Sequence, residues 1–393
     1  MQTYFGAERG KPYLVGPNPF LGVVYHWLGG LASATCYLPY NGIKRWAWEV
    51  YWMLQGVFSW ILAPIVIGMA LVPELPAILH RSPSKTLAFV YTWGVLWGFG
   101  GLTFGLSVRF LGMALGYAIA LGLCMAFGTL MPPIFAGEIG AIAREHSGQI
   151  ILLGIAVCML GIVLSGLAGM SKERELTDAQ KKNTVKEFHF GKGLLVAIFA
   201  GVMSSCFAYG LTAGKPIGML TKNYLLQTGR ADLWQNLPIL VVLLWGGFTT
   251  NFIWCSVLLW RNKTAGQFLG RAGGKLSGNQ EAHVEAGGST SARIDSKTMM
   301  RNTLLAAATG LMWYFQFFFY SMGQTKMGKY DFSSWTLHMA SIIIFSTLWG
   351  VIYKEWKGTS RRTIVLVTLG LVILVLSTMV VGYGNYLKAM TNS

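Results

Sequence analysis

The chain has 393 residues, of which 53% are hydrophobic and only 12% are charged. Soluble proteins carry about 25% charged residues, so this composition excludes an ordinary soluble protein and favours a membrane protein. The net charge of +16 would indicate nucleic-acid binding in a soluble protein. Here the Lys and Arg residues lie between long apolar runs, where lipid headgroups and topology explain them, so we expect no nucleic-acid partner.

Ten apolar segments are long enough to cross a bilayer as helices of about 20 residues. The predicted spans are 20–40, 46–72, 87–108, 112–135, 148–170, 191–213, 236–260, 300–323, 332–353 and 362–386. Helices are expected rather than a barrel, because lipid offers the backbone no hydrogen-bond partners and the runs do not alternate. Ala32-Ser33-Ala34 resembles a signal-peptidase site, but the apolar run before it starts late, and we reject a signal peptide. The sequence therefore predicts an all-α integral membrane protein.

The spans divide into two sets of five. We predict a polar N-terminal extension at 1–19, a first half at 20–170, a charged linker at 171–190 and a second half at 191–388 that contains a flexible, Gly- and Ser-rich loop at 261–297. An odd number of spans in each half makes the halves enter the membrane in opposite senses. Two inverted five-helix repeats are therefore expected, as in many secondary transporters.

A matched spacing of charges supports the repeat. Arg109 precedes Glu138 by 29 positions, and Lys326 precedes Glu355 by the same number. Counting by alternate sides, 20 of the 31 Lys and Arg fall on the side of the odd-numbered loops. The positive-inside rule then predicts that these loops are cytoplasmic and that both termini are external.

The stretch "KYDFSSWTLHMA" spaces Asp331, Trp335 and His338 at intervals of four and three. On a helix these side chains share one face. A carboxylate and an imidazole below the membrane surface can pass a proton or bind a polar solute, and the Trp335 ring can stack on a sugar. An N-cap role for Asp331 and a structural role for His338 stay open.

Other polar groups within the spans are also candidates, because ionisable residues in a membrane are costly. Glu49, one turn inside the second span, is a candidate for proton coupling or an interfacial carboxylate. Trp313 and Gln316 lie three apart in "GLMWYFQFFFYSMG" and are candidates for sugar binding, with aromatic packing as the alternative. His26 and Arg109 complete the candidates for the substrate, although an interfacial arginine is more often a topology anchor.

Neither metal nor cofactor is expected. The five cysteines lie in apolar runs without ligand spacing, and they are interpreted as small buried side chains. "GQTKMGKY" lacks the Ser or Thr of a P-loop, and no HExxH or GxSxG pattern occurs. A membrane-embedded enzyme on a lipid-linked sugar is therefore disfavoured. A sugar-sensing receptor is disfavoured because the loops are too short to contain an output domain, whereas a metabolite exporter would share the physical features of a sugar importer.

Five stretches resemble the L-rhamnose–proton symporter family, within the drug/metabolite transporter superfamily. They are "HWLGGLASATCYLPYNGIKRWAWE", "WGFGGLTFGLSVRFLGMALGYAIALG", "GLMWYFQFFFYSMG", "YDFSSWTLHMA" and "KEW". The resemblance implies ten helices in two halves and proton-driven uptake of a 6-deoxyhexose through the bacterial inner membrane. Because the family is broad, another deoxysugar or a pentose stays open as the substrate. Glu49, Arg109, Gln316, Asp331 and His338 all fall within the matching stretches.

Overall fold

The computed structural model describes residues 16–111, 113–175, 189–273 and 293–391. Fourteen α-helices run through these residues, and the only β pairing among them is an isolated bridge between Arg271 and Arg293. The helices are α1 (Pro19–Thr35), α2 (Trp48–Gly56), α3 (Ala63–Leu71), α4 (Leu75–Arg81), α5 (Ser84–Leu111), α6 (Met113–Phe135), α7 (Ile139–Arg144), α8 (His146–Glu175), α9 (Phe190–Ala213), α10 (Lys215–Gln227), α11 (Leu237–Asn262), α12 (Ser296–Lys326), α13 (Ser334–Ile352) and α14 (Arg361–Thr391). The predicted all-α class is confirmed for the described residues.

Eight helical stretches of the described chain are long and apolar enough to cross a membrane. They are Trp48–Leu71, Ser84–Val108, Ala118–Phe135, His146–Glu175, Phe190–Ala213, Asp232–Asn262, Gly328–Ile352 and Arg361–Thr391. Large apolar side chains also lie fully outward, such as Phe20, Phe135 and Trp260, which are about 80% exposed. Such a surface suits lipid rather than water. α1, with 17 residues, and α12 are not among the eight, so ten crossings stay a prediction.

The second predicted span contains a change of helix type. α2 continues into a π-helical turn, Val57–Leu62, and then into α3. Pro64 in the first turn of α3 has no N–H for the carbonyl four residues earlier, and its ring crowds that carbonyl. The helix widens accordingly, and the Ala63 N–H donates to the Phe58 carbonyl five residues back. The widened turn changes the directions in which the side chains of Val57–Leu62 point.

The packing of the second half on the first mirrors that of the first half on the second. α1 lies against α12 and α13, and α9 lies against α5 and α6. α12 packs on α2 and its π turn, and α11 packs on α5. α8 and α14 pack along each other, where Gly154 and Gly161 of α8 meet Val381 and Leu374 of α14. The buried core therefore lies where the two halves meet.

Loop boundaries differ from the sequence-based prediction. α8 continues through Glu175, so the first five residues of the predicted linker 171–190 are helical, and 176–188 lie outside the described residues. Within the predicted loop 261–297, a 3-10 helix, Ala265–Leu269, buries Gln267, whose side chain accepts a 2.7 Å hydrogen bond from the Ala47 N–H. This contact orders the chain directly after α11. Residues 1–15 of the N-terminal extension also lie outside the described part.

Glu145, directly before α8, connects that helix to two other parts of the chain. Its Oε1 accepts from Lys329 at 3.1 Å, and its Oε2 accepts from Lys388 at 2.6 Å and from the Tyr330 hydroxyl at 2.5 Å. The hydrogen bonds from Lys388, Tyr330 and Lys329 lower the pKa of Glu145 from 4.5 to about 2. The folded protein therefore stabilises the ionised form of the Glu145 carboxylate relative to the unfolded chain.

Replacing Glu145 with Gln is expected to lower the thermal stability of the detergent-solubilised protein at pH 7. The folded-state pKa is depressed, so this stabilisation is fully present above the unfolded-state pKa near 4.5 and is lost as the pH falls to about 2. The difference in melting temperature between wild type and Glu145→Gln should therefore shrink from pH 5 to pH 3. Glu138→Gln, at an exposed site in the same connection, is the control and should melt like wild type at each pH.

Candidate functional site

A continuous chain of aromatic rings fills the interior between the two halves. Neighbouring ring centroids in this chain lie 4.0–5.7 Å apart. Its members are Trp60, Trp97, Trp313, Phe317, Phe207, Trp335 and Tyr320. The first two belong to the first half and the others to the second. Two predicted candidates, Trp313 and Trp335, are therefore part of one aromatic core.

Two histidines meet at one end of this core. His26 of α1 and His338 of α13 are both fully buried. The Tyr320 ring contacts both, with centroids 5.3 Å from His26 and 5.2 Å from His338. All four imidazole nitrogens lack a hydrogen-bond partner among the described residues. Burying an unpaired polar group costs about 1–3 kcal/mol, so these nitrogens are candidates to bind water or a polar ligand.

Glycines bring the helices that carry these histidines together. A Cβ on Gly29 of α1 would lie 2.8 Å from the Gln316 carbonyl and 3.4 Å from the His338 ring. A Cβ on Gly323 of α12 would lie 2.7 Å from His26 Nε2. Any larger residue would push α1, α12 and α13 apart. The small residues therefore position the imidazoles.

The structure places Trp335 against the first half. Its indole Nε1 donates a 3.0 Å hydrogen bond to the Cys124 carbonyl of α6, and its ring stacks on Phe207 at 5.7 Å. Its ring also lies 6.0 Å from His338, as expected for neighbours on one helical face. Because its only polar atom is already bonded, Trp335 offers a ring face rather than a hydrogen bond.

Asp331 lies in the 3-10 turn that leads directly into α13. It belongs to a 3-10 helix, Gly328–Ser333, and α13 begins only at Ser334. Its carboxylate pairs with Lys215 at 3.1 Å, and it makes no hydrogen bond to His338. The N-cap residue of α13 is Ser333, so the capping alternative for Asp331 is not observed either. In the structure, Asp331 forms an ion pair with Lys215 at the start of α10.

Gln316 and Trp313 both lie on the buried side of α12, at 5% and 9% exposure. The Trp313 ring packs edge-on against Trp60 at 5.0 Å. Within the described chain, no hydrogen bond is made by the Gln316 amide. The predicted pair therefore faces the core, and only Trp313 reaches the tryptophans of the first half.

Glu49 lies in a different part of the structure. It is buried in α2, and its Oε1 accepts from the Thr264 hydroxyl at 2.6 Å and from the Asn262 amide at 3.0 Å. These bonds join α2 to the end of α11, away from contact with the histidines. Arg109 belongs to the last turn of α5, and its side chain lies outside the described part of the chain.

Comparison with known proteins identifies the family. Residues 18–267 and 280–386 match the L-rhamnose-proton symport protein family (RhaT). Proteins of Salmonella gallinarum and Klebsiella pneumoniae, each named L-rhamnose-proton symporter, are 32% identical to this chain over 365 residues. The alignment covers 93% of this chain and 97% of each relative. The chain belongs to the RhaT family.

The sequence-based prediction missed five members of this RhaT protein's aromatic core, which are Trp60, Trp97, Phe207, Phe317 and Tyr320. Tyr320 was accessible from the sequence, because Trp313, Phe317 and Tyr320 recur at intervals of four and three and so define one face of α12. Phe207 gave no such signal, because its helix α9 carries few other aromatic residues in a generally apolar run. Only the packing of α9 on α5 and α6 brings Phe207 into the core.

The imidazoles of His26 and His338 in this RhaT protein belong to a residue type that can carry a proton. A neutral imidazole has one nitrogen that accepts a proton near neutral pH. His26 belongs to the first half and His338 to the second, so any relative motion of the halves changes the surroundings of both rings. Among the residues that the structure describes, no carboxylate hydrogen-bonds either ring. Protonation therefore needs water or a polar substrate as the partner of the new charge.

Proposed function

We propose that this protein is a secondary active transporter that imports L-rhamnose together with protons by alternating access. It is a transporter rather than an enzyme. Membership of the RhaT family and the names of its relatives support the activity. The observation in the fold that carries the proposal is the buried, unpaired histidine pair His26 and His338, which lies between the halves.

The proposed cycle couples the proton to the sugar through burial. In the open protein, water reaches the imidazoles and one of them accepts a proton. The charged ring is costly in a closed core unless a polar ligand replaces water, because burial disfavours the ionised form. Sugar bound in the aromatic core, directly or through a water that it retains, supplies acceptors for the imidazolium N–H and so allows closure. When the halves open on the other side, water returns and both proton and sugar leave.

The candidates divide between proton and sugar on these contacts. We propose His338 and His26 as the proton pair, and Trp313, Trp335 and Gln316 as residues that border the sugar. Asp331 and Glu49 stay predictions as proton carriers, because each is already held by a fixed partner. Arg109 stays a prediction for the substrate.

We also propose ten crossings arranged as two inverted five-helix repeats. α1 and α12, which are outside the group of eight apolar spans, lie against each other and against the histidine core. Lower hydropathy is expected where a helix faces a polar pathway rather than lipid. The mirrored packing of α1 on α12 and α13, and of α9 on α5 and α6, supports the repeat. The charge bias supports external termini and a place in the bacterial inner membrane.

The proposed function is tested with purified protein in liposomes that are held without a pH gradient. Adding L-rhamnose outside should raise the external pH, because protons enter with the sugar. L-glucose should give no change, and a protonophore should abolish the response. Acidification on adding sugar would instead indicate proton exchange, and no pH change with folded protein would contradict proton symport.

A further inference from the structure

A second group of unpaired polar atoms lies at the π-helical turn of α2 and α3, apart from the histidines. The side chains are buried, with Gln55 and Ser59 at 0%, Thr309 at 1% and Asn251 at 3% exposure. These four side chains and the Trp60 indole carry seven polar atoms. Six of the seven have no partner among the described residues, namely Gln55 Oε1 and Nε2, Ser59 Oγ, Trp60 Nε1, Asn251 Nδ2 and Thr309 Oγ1. Native interiors rarely leave so many polar atoms unsatisfied together, which points to a ligand.

Close helix packing brings together the helices that carry these polar side chains. A Cβ on Gly310 of α12 would lie 2.7 Å from the Gln55 carbonyl and 3.2 Å from the Ser59 nitrogen. Thr309 is the residue before Gly310. On the other side, a Cβ on Gly56 would lie 3.3 Å from Asn251 Nδ2. α2, α11 and α12 therefore pack closely at the residues that carry these polar groups.

The Asn251 amide is held in a fixed orientation. The Trp52 indole N–H donates a 2.7 Å hydrogen bond to Asn251 Oδ1. Because an indole nitrogen can only donate, the oxygen must face Trp52 and the Nδ2 group must point the other way. A donor that is oriented by a neighbour and left without an acceptor is typical of a binding site.

Three tryptophan rings lie beside these polar groups. Trp60 and Trp313 lie 5.0 Å apart, and Trp97 lies 5.6 Å from Trp313 and 6.2 Å from Trp60. Trp60 is carried by the π-helical turn, a feature that recurs at functional sites. Tryptophan faces suit the apolar C–H side of a sugar ring, whereas amides and hydroxyls suit its hydroxyl edge.

We propose that the sugar ring binds here, between Trp60, Trp97 and Trp313 on one side and Gln55, Ser59, Asn251 and Thr309 on the other. The ligand class is a small neutral pyranose with adjacent hydroxyls and an apolar edge, a description that fits a 6-deoxyhexose. The identity of that sugar as L-rhamnose rests on the proposed function. α2 belongs to the first half and α11 and α12 to the second, so separation of the halves opens the site.

The test uses the purified full chain and radiolabelled L-rhamnose binding, with thermal unfolding measured in parallel without sugar. In Gln55→Leu and Thr309→Val, the dissociation constant for L-rhamnose should rise at least tenfold each. Their melting temperatures should stay equal to wild type or rise, because an apolar group of similar size replaces a buried polar group that has no partner. An amide with a purely structural role would instead lower stability and leave sugar affinity intact.

Asn302 of α12 is the matched control. It is fully buried like Gln55, but its amide is satisfied, since it donates to the Lys44 carbonyl at 2.7 Å and accepts from the Lys44 N–H at 3.1 Å. Asn302→Leu should lower the melting temperature and keep wild-type affinity for L-rhamnose. The control thus shows the opposite pattern to Gln55→Leu.

The outcomes of this test distinguish an error in the proposed site from an error in the proposed substrate. If wild type binds L-rhamnose and the Gln55 and Thr309 variants bind it with an affinity within about twofold of wild type, the proposed site is wrong and the proposed function stays intact. If wild type binds L-fucose or L-arabinose but not L-rhamnose, and the variants lose that binding, the site stands and the substrate of the proposed function is wrong. Binding of none of these sugars by folded wild type overturns both.

Discussion

His338→Gln is expected to abolish accumulation of L-rhamnose against its gradient while leaving downhill exchange in place. Glutamine keeps hydrogen-bonding groups at this buried site but cannot be protonated near neutral pH. Linkage between two ligands of one protein commonly amounts to about a 5- to 150-fold change in affinity. We therefore expect the apparent affinity of wild type for L-rhamnose to change by that order between pH 5 and pH 8. The affinity of His338→Gln should be flat over the same range.

The measurement is uptake into liposomes under an imposed proton gradient, compared with counterflow in the absence of a gradient. His26→Gln should behave like His338→Gln, because the two rings contact the same Tyr320 ring. His80→Gln is the control, since His80 is exposed at the end of α4 and should accumulate sugar like wild type. Accumulation by both core variants at the wild-type level would contradict the assignment of the proton to the histidines.

The same assay tests whether the proton is carried by a carboxylate rather than by the histidines. Asp331 is bound to Lys215, and Glu49 is bound to Thr264 and Asn262, so their variants should lose stability more than coupling. If Asp331→Asn or Glu49→Gln exchanges sugar downhill but no longer accumulates it, the proton belongs to a carboxylate. Accumulation in both variants, together with its loss in His338→Gln, leaves the histidine pair as the proton site.

The helices were predictable from the sequence, because lipid leaves the backbone no alternative to helical hydrogen bonding. The details that position the site were not. One such detail is the partner of Asp331, which lies in a 3-10 turn ahead of α13 and pairs with Lys215 of α10. Local spacing does not show where such a turn replaces the first turn of a helix.

Long-range pairing was the other missing information. His26 was predicted for the sugar and His338 for the proton, and only the packing of α1 between α12 and α13 brings both rings onto Tyr320. Gln55 was visible as an isolated buried amide, but its neighbours Asn251 and Thr309 come from helices that are distant in sequence. Single-sequence patterns identify polar residues in apolar helices, whereas their partners depend on tertiary contacts.

Gly94→Ala is expected to reduce the yield and thermal stability of the folded protein strongly. A Cβ on Gly94 of α5 would lie 2.1 Å from the Leu243 carbonyl oxygen of α11. The contact is reciprocal, since a Cβ on Gly246 would lie 2.2 Å from the Tyr91 carbonyl oxygen. The obstacle is backbone, so no side-chain rotation relieves it and the two helices must separate. Overpacking of this kind costs typically 1–3 kcal/mol or more, a large share of a marginal stability of about 5–15 kcal/mol.

Gly101→Ala on the same helix provides the comparison. The sequence gives Gly94 and Gly101 the same meaning, as members of one small-residue series in α5, but a Cβ on Gly101 would meet nothing within 4 Å. Alanine is about 1 kcal/mol more favourable than glycine in a helix, so Gly101→Ala should match or exceed wild-type stability. Yield of monodisperse protein and melting temperature in detergent measure both variants. Because α5 and α11 belong to different halves, the Gly94 contact is also where those halves approach most closely along this helix pair. Equal stability of the two variants would show that the halves do not meet there.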